Sequence, residues 1–471
     1  MTAAHLRMSP LDRAWLLMER PTNLMMIVAV VMLATPMRRS RLKRLLAERF
    51  LKFDRFRQYP VAEMLSARWE PATAFDLDDH VVSVALPRGA ADTELQALTG
   101  ELASTPFSAQ RPWWSFHLVE KYGPGSAIIV RIHHCYADGI ALVRVLLSLA
   151  GRVKKRADER RGQAEQPPAG VLNSLLGLAA PVADFMSKAL QGTGNTLGQG
   201  LHYALHPGEA VQSARDSASV LGDAARLLTQ SDDPPTLLKR PLSGVRHVAW
   251  GKPLSFDEVR AVSLALDCTI NDVLLATLAG ALGDYLKLHG ESRAGLALHA
   301  AVPVNMRGEG AAEPELGNRF GMVFVELPVG VAHPLKRVRA VHRTTQSLKH
   351  SSQALLTLGL LAAVGSLPAI IEDPAVDIFT AKASLVASNL PGPREPLRLA
   401  GAAVSQMLFW VPQAGSIGTG VSMLTYDGQV QFGVIADRRL IADPLTLVKL
   451  IGVEFSRLAK LVRRRARSAT A

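Results

Sequence analysis

At 471 residues, with 48% hydrophobic and 20% charged side chains, the chain is too apolar for a disordered segment and long enough for two lobes of similar size. Basic residues exceed acidic ones by 53 − 41 = 12, gathered in three patches: Arg38, Arg39, Arg41, Lys43 and Arg44; then Arg152, Lys154, Lys155, Arg156, Arg160 and Arg161; then Arg463, Arg464, Arg465 and Arg467. No zinc-finger spacing or aromatic RNA-binding signature accompanies that charge, so no nucleic acid partner is expected, and the field is left to a lipid surface, a coenzyme phosphate or plain solvation.

Two cysteines, Cys135 and Cys268, exclude a disulfide framework, and the opening residues lack the charged and then apolar run of a leader. A cytoplasmic location is therefore expected.

Taken in order, Ser9-Pro10-Leu11-Asp12 predicts a helix start, with Ser9 as cap and Asp12 completing a capping box, and the helix continues to about Arg20. Leu24 to Ala34 is eleven apolar residues, short of the roughly 20 a spanning helix needs, and its β-branched Ile27, Val28, Val30 and Val31 predict a buried strand. Leu42, Leu45, Leu46 and Phe50 repeat at helical spacing and predict an amphipathic helix over 38–53. Strands and helices alternate to about residue 150, which closes an N-terminal lobe, 1–150.

From 151 to 235 the sequence turns charged, then rich in Gly, Ser and Ala with weak helical periodicity, and predicts a helical crossover. Strand and helix alternation resumes over a C-terminal lobe, 236–471, with a hairpin turn at Asp427-Gly428. Ala354 to Ile371 is apolar but broken by Gly359, Gly365 and Pro368, and reads as a core or interfacial helix pair.

Chemistry concentrates where the strand Ser126–Ile132 runs into His133-His134-Cys135-Tyr136-Ala137-Asp138-Gly139 ahead of the apolar helix 140–150. If the alternation of the strand persists, His134 shares a face with Ile128, Val130 and Ile132 and enters the interior, while His133 turns the other way. A histidine there can take a hydroxyl proton and return one to a leaving group. Asp138 can orient it, or hold the loop by pairing with an arginine, and Gly139 keeps a side chain out of the turn. Adjacent histidines on opposite faces make a poor metal site, so no metal is expected. On these residues alone a satisfied core histidine with a helix-capping aspartate stays open.

His133-His134-x-x-x-Asp138-Gly139 resembles the signature of the chloramphenicol acetyltransferase-like superfamily. Ser9 to Asp12, Phe75 to Val81, Arg111-Pro112-Trp113-Trp114, Asn271-Asp272, Pro303 to Arg307, Leu316 to Phe320 and Ser388 to Pro393 are similar to the bacterial wax ester synthase/diacylglycerol acyltransferase branch of it. The matches run in order from residue 9 to residue 444.

The resemblance implies an α+β fold of two chloramphenicol acetyltransferase-like lobes, each a mixed sheet with packed helices, and a channel between them. It implies an O-acyltransferase that joins long-chain acyl-CoA to a fatty alcohol or to diacylglycerol, giving wax esters or triacylglycerol, with no cofactor beyond the acyl-CoA substrate. His134 inherits the role of general base, with His133, Asp138 and Gly139 as motif support. Asn271 and Asp272 are carried over as supporting residues from the second lobe, although Thr269 to Asp272 also reads as a capping box. Pro112, Trp113 and Trp114 map to substrate access, with Trp113 standing where the family commonly has leucine; Asn305 and Arg307 could face the cleft. Peripheral attachment to the inner membrane or to lipid inclusions is expected. Two other readings stay in view: a condensation-type enzyme using carrier-protein thioesters, and a noncatalytic lipid-droplet-binding protein.

Overall fold

The β-branched run after Leu24 is a strand, Met26–Leu33, buried at every position, in the middle of a seven-stranded sheet. In the computed structural model, which describes residues 6–152, 229–306, 316–349, 351–366 and 376–470 except positions 65, 88, 90 and 350, with 223 and 227 isolated between them, this sheet has the order Val81–Val84, Trp114–Tyr122, Gly125–His133, Met26–Leu33, Ala402–Trp410, Leu397–Leu399, Ala150–Arg152. Only the first pair is parallel. A second seven-stranded sheet runs Leu254–Ser255, Gln429–Asp437, Thr419–Tyr426, Leu385–Pro391, Leu298–Asn305, Phe320–Leu327, with Arg246–Trp250 also paired to Gln429–Asp437. Leu385–Pro391 lies parallel to both neighbours. A small sheet of Leu6–Arg7, Ala67–Pro71 and Gln58–Ala62 completes the set.

Two lobes of mixed sheet and packed helices are thus present, but the chain does not divide cleanly between them. Residues 397–410, expected in the second lobe, supply two strands to the first sheet, with Trp410 opposite Val28 and Val404 opposite Leu33. Their composition explains it. Leu408 and Trp410 enter one apolar core with Val28 and Val30, while Val404 and Phe409 enter the other with Ala29 and Val31. A strand apolar on both faces belongs inside a covered sheet. The expected crossover, 151–235, lies outside the described residues except for its ends and the isolated positions within it.

The first helix is Pro10–Leu17, capped by Ser9, whose Oγ accepts the Asp12 N–H at 3.1 Å. It stops before Arg20 because Pro21 disfavours helix at the residue before it. The helix predicted over 38–53 is Arg39–Arg49 followed by a 3-10 turn, Phe50–Lys52. In the second lobe Ile270–Leu288 is buried along nearly its whole length between Pro334–Lys349 and Pro444–Thr470. The turn at Asp427-Gly428 has φ of 47° and 72°, the left-handed pair a tight hairpin requires. The apolar stretch after 353 begins as a helix, Gln353–Val364, laid on the strand Phe320–Leu327, and residues 367–375 fall outside the described set. Among the described residues no single helix is long and apolar enough to cross a membrane.

Candidate active site

The strand Gly125–His133 keeps its alternation to the end, with Ile128, Val130 and Ile132 in one core and Ala127 and Ile129 in the other. His134 follows the first face. Its ring is 4.1 Å from that of Trp15 and 5.6 Å from that of Phe320, so residues of both lobes hold the imidazole. The ring lines an interlobe cavity of about 60 Å³ with Asp138, Gly139, Asn305, Ser388 and Asn389. A second cavity of about 130 Å³ shares Trp15, Phe320, Met322, Val386 and Pro412 with it and is otherwise almost wholly apolar, lined by Met18, Phe324, Leu360, Leu361 and Phe379 among others.

Burial pushes the pKa of His134 down to about 4, against the opposing charge of Asp138. Its N–H donates to the Met25 carbonyl at 2.7 Å, and its own carbonyl accepts from Asn318 Nδ2 at 3.0 Å. Nδ1 is buried without a partner, so Nε2 is the nitrogen left to the cavity.

His133 points elsewhere. The Cys135 N–H donates to its Nδ1 at 3.2 Å, which places the ring proton on Nε2, and Nε2 donates to Glu19 Oε2 at 2.9 Å. Burial of the Glu19 carboxyl is more than offset by His133 and the Met25 N–H, and its pKa is lowered. Fully enclosed and already paired, His133 supports the loop.

Asp138 is the cap of the helix Gly139–Leu149: Oδ1 accepts the Ala141 N–H at 2.9 Å and Oδ2 the Arg319 N–H at 3.0 Å. Gly139 borders the cavity with nothing closer to its absent Cβ than Val411 at 3.6 Å and Leu390 at 3.8 Å.

The Asn271-Asp272 pair splits. Asp272 completes the predicted capping box with Thr269 and also accepts from His342 Nδ1 at 2.7 Å and Thr345 Oγ1 at 2.6 Å, which turns it away from His134. Asn271 Oδ1 accepts from Asn389 Nδ2 at 3.3 Å, and Asn389 lines the histidine cavity.

Pro112, Trp113 and Trp114 line neither cavity. Trp113 stands edge-on to His133 at 4.8 Å with its indole N–H on the Ser108 carbonyl, and Trp114 is buried against His80 with its N–H on the Phe56 carbonyl. They are wall behind the motif. Asn305 faces the cavity; Arg307 lies outside the described residues.

Asp12 reaches beyond its predicted place at the helix start. Its carboxylate, still beside the Ser9 side chain, also accepts from the Asn318 N–H at 3.0 Å, from Asn318 Nδ2 at 2.8 Å and from Arg55 at 3.5 Å. Trp15, Phe320 and Asn318, all at the histidine, carry no reactive group and gave no signal of their own beyond lying in or beside the quoted segments.

A mixed-sheet, two-lobed fold with a histidine in the cleft is one that solved acyltransferases and peptide-synthetase condensation domains share. The chain shares this fold with the wax ester synthase/diacylglycerol acyltransferase from Marinobacter aquaeolei VT8 at a TM-score of 0.64 and 19% identity, over 97% of this chain and 99% of that one. It shares it also with the first condensation domain of the calcium-dependent antibiotic synthetase (TM-score 0.58, 15% identity, 98% and 96% covered) and with the trichothecene 15-O-acetyltransferase of Fusarium sporotrichioides (0.58, 14%, 96% and 94%). Residues 8–274 match the wax ester synthase/diacylglycerol acyltransferase catalytic domain, and residues 316–459 match the C-terminal domain of the same family. The chain belongs to the wax ester synthase/diacylglycerol acyltransferase family and is an acyltransferase. A relative from Mycobacterium tuberculosis, named a probable diacylglycerol O-acyltransferase, is 28% identical over 418 residues, 84% of this chain and 82% of its own. These matches favour neither the condensation-type nor the noncatalytic reading.

Proposed function

We propose that the enzyme transfers the acyl group of a long-chain acyl-CoA to the hydroxyl of a fatty alcohol or a diacylglycerol, with His134 as general base. The observation that carries this is the adjacency of two cavities across the shared wall of Trp15 and Phe320: a smaller one where His134 meets a few polar side chains, and a larger, almost wholly apolar one suited to hydrocarbon. The name of the mycobacterial relative supports diacylglycerol as an acceptor.

His134 Nε2 takes the hydroxyl proton as the oxygen attacks the thioester carbonyl carbon. The resulting oxyanion collapses, the carbon–sulfur bond breaks, and the departing thiolate takes the proton back from Nε2, so the histidine ends as it began. Ser388, Asn389 and Asn305 are the polar side chains of the cavity wall nearest to hand for the oxyanion. No cofactor enters this sequence.

Attachment to an anionic membrane surface or lipid inclusion on the cytoplasmic side fits two features. The half-buried leucines 355, 356, 358, 360 and 361 lie on the helix beside the apolar cavity, and Arg464 and Arg465 are exposed on the last helix.

The test is to incubate the purified enzyme with palmitoyl-CoA and either hexadecanol or dioleoylglycerol, reading thiol release and lipid product together. Release that depends on the acceptor is expected, and His134→Ala should reduce it by at least about 10²-fold. A folded His134→Ala variant with near-normal turnover would remove the assignment.

A further inference from the structure

The side chain of Asn318 has one orientation available to it. Its amide nitrogen faces the carbonyl of His134 at 3.0 Å and Asp12 Oδ1 at 2.8 Å. A carbonyl oxygen can only accept, and Asp12 Oδ1 already accepts the Asn318 main-chain N–H, so both positions require the NH₂ end of the amide. Oδ1 is thereby turned to the other side. It is buried with no donor, in a residue only 3% exposed.

His134 has the complementary deficiency, since its Nδ1 is buried and also without a partner. Trp15 and Phe320, packed against the ring at 4.1 and 5.6 Å, leave the imidazole little freedom to turn either nitrogen elsewhere. Two orphaned polar atoms on neighbouring side chains are a cost to the fold unless they meet. A proton on Nδ1 makes one the donor the other lacks. The Asn318 side chain and the carbonyl of His134 itself both favour a charged ring, as acceptors set around Nδ1–H do.

We propose that Asn318, anchored by Asp12, is a positioning residue that holds His134 in the tautomer with its proton on Nδ1 and so leaves Nε2 bare for the substrate hydroxyl. The inference rests on the reading of His134 as base. It gives the Leu316–Phe320 segment of the second lobe a task in the chemistry, and it gives the buried Asp12 one at a single remove. When Nε2 takes the proton, the amide oxygen also steadies the imidazolium formed.

The test uses the full chain labelled with ¹⁵N-histidine, the His134 signals being assigned by difference from His134→Gln. Wild type should show the Nδ1–H pattern, and Asn318→Ala should lose it. The same variant should lower kcat about 10- to 100-fold, part of the span of a general base, with KM little changed. Because Asn318→Ala could fail to fold, Asn318→Ser is the second variant. Its hydroxyl can still donate to Asp12 while the acceptor for Nδ1 is gone, so it should lose the Nδ1–H pattern with a similar fall in kcat.

An Nε2–H pattern in wild type, unchanged kcat in Asn318→Ala, or a retained Nδ1–H pattern in folded Asn318→Ser would each overturn the proposal. If any of these occurs while His134→Ala is inactive, only the positioning role falls. If His134→Ala is active, the reading of the base falls, whatever the tautomer.

Discussion

Asp138 and Arg319 join the two lobes at the loop that carries His134. The Arg319 N–H donates to Asp138 Oδ2 at 3.0 Å while the other carboxylate oxygen caps the helix that follows the histidines. Ala137 and Gly317 form a bridge beside them, with Gly317 at φ 114°, a conformation that side chains strain to adopt. The motif aspartate is therefore a latch. It influences the histidine through its charge and holds the distance between the lobes at the cleft.

Replacing Asp138 by alanine removes the cap and the interlobe bond together. A loss of about 2 kcal/mol, the upper end for a helix cap, is expected, and with it a fall in turnover as the lobes lose their fixed spacing. Asp138→Asn keeps an acceptor for Ala141 and should recover most of the stability, but it removes the charge that favours a protonated His134. Thermal unfolding and kcat measured on both variants check this. Equal stability losses in the two would mean that the charge, and not the cap, carries the latch.

The second prediction concerns pH. Burial holds the His134 pKa near 4 against an ordinary 6.5, so the ring stays neutral, and able to accept a proton, at every pH above about 4. The acid limb of kcat/KM is expected near 4, with activity falling as pH falls through it. Stability follows the same sign. An unfolded chain protonates this histidine near 6.5 and the folded one resists, so its contribution is full above 6.5 and is lost progressively as pH drops toward 4. An acid limb near 6.5 in protein shown by circular dichroism to be folded would contradict this environment for the imidazole.

What the sequence made legible follows the range of the interactions involved. Strand alternation placed His134 inward, and local capping chemistry placed Asp138 and Thr269, because each is settled within a few residues. Residues 397–410 were misassigned because an apolar run tells that both faces of a strand are covered without telling in which sheet. Asp12 was underread for a related reason: beyond the helix start its carboxylate takes two donors from Asn318, 306 residues away, and one from Arg55. Trp113 and Trp114 read as access residues because an aromatic pair looks alike whether it faces a channel or backs a wall.

Asn271 and Asp272, adjacent in sequence, should separate in experiment. Asp272 is fully buried and accepts from Thr269, His342 and Thr345; Asp272→Ala strands those donors and should cost about 3 kcal/mol, with activity falling only as folded protein falls. Asn271→Ala should leave stability within about 0.5 kcal/mol. It frees Asn389 on the cavity wall and should lower kcat about tenfold or more, the scale of losing a group that orients an active-site residue. Chemical denaturation and kcat on the two variants decide it. A large kcat loss in fully folded Asp272→Ala would put that carboxylate back in the chemistry.

Gly139 gives the sharpest separation of fold from function. Its backbone is not left-handed, and an added Cβ meets only ordinary contacts with Val411 and Leu390, so nothing in the fold demands glycine there. Alanine in the first turn of the helix should hold stability or raise it by up to about 1 kcal/mol. The Cβ nonetheless occupies the wall of the His134 cavity, where an acceptor hydroxyl has to approach Nε2. Stability and activity should accordingly move apart along the series Gly139→Ala, Gly139→Val: melting temperature level or rising for alanine, KM for the acceptor rising at each step. Measured together, a valine variant with unchanged acceptor KM would show that substrate reaches His134 by another path, while a destabilised alanine variant would show that glycine is there for the turn after all.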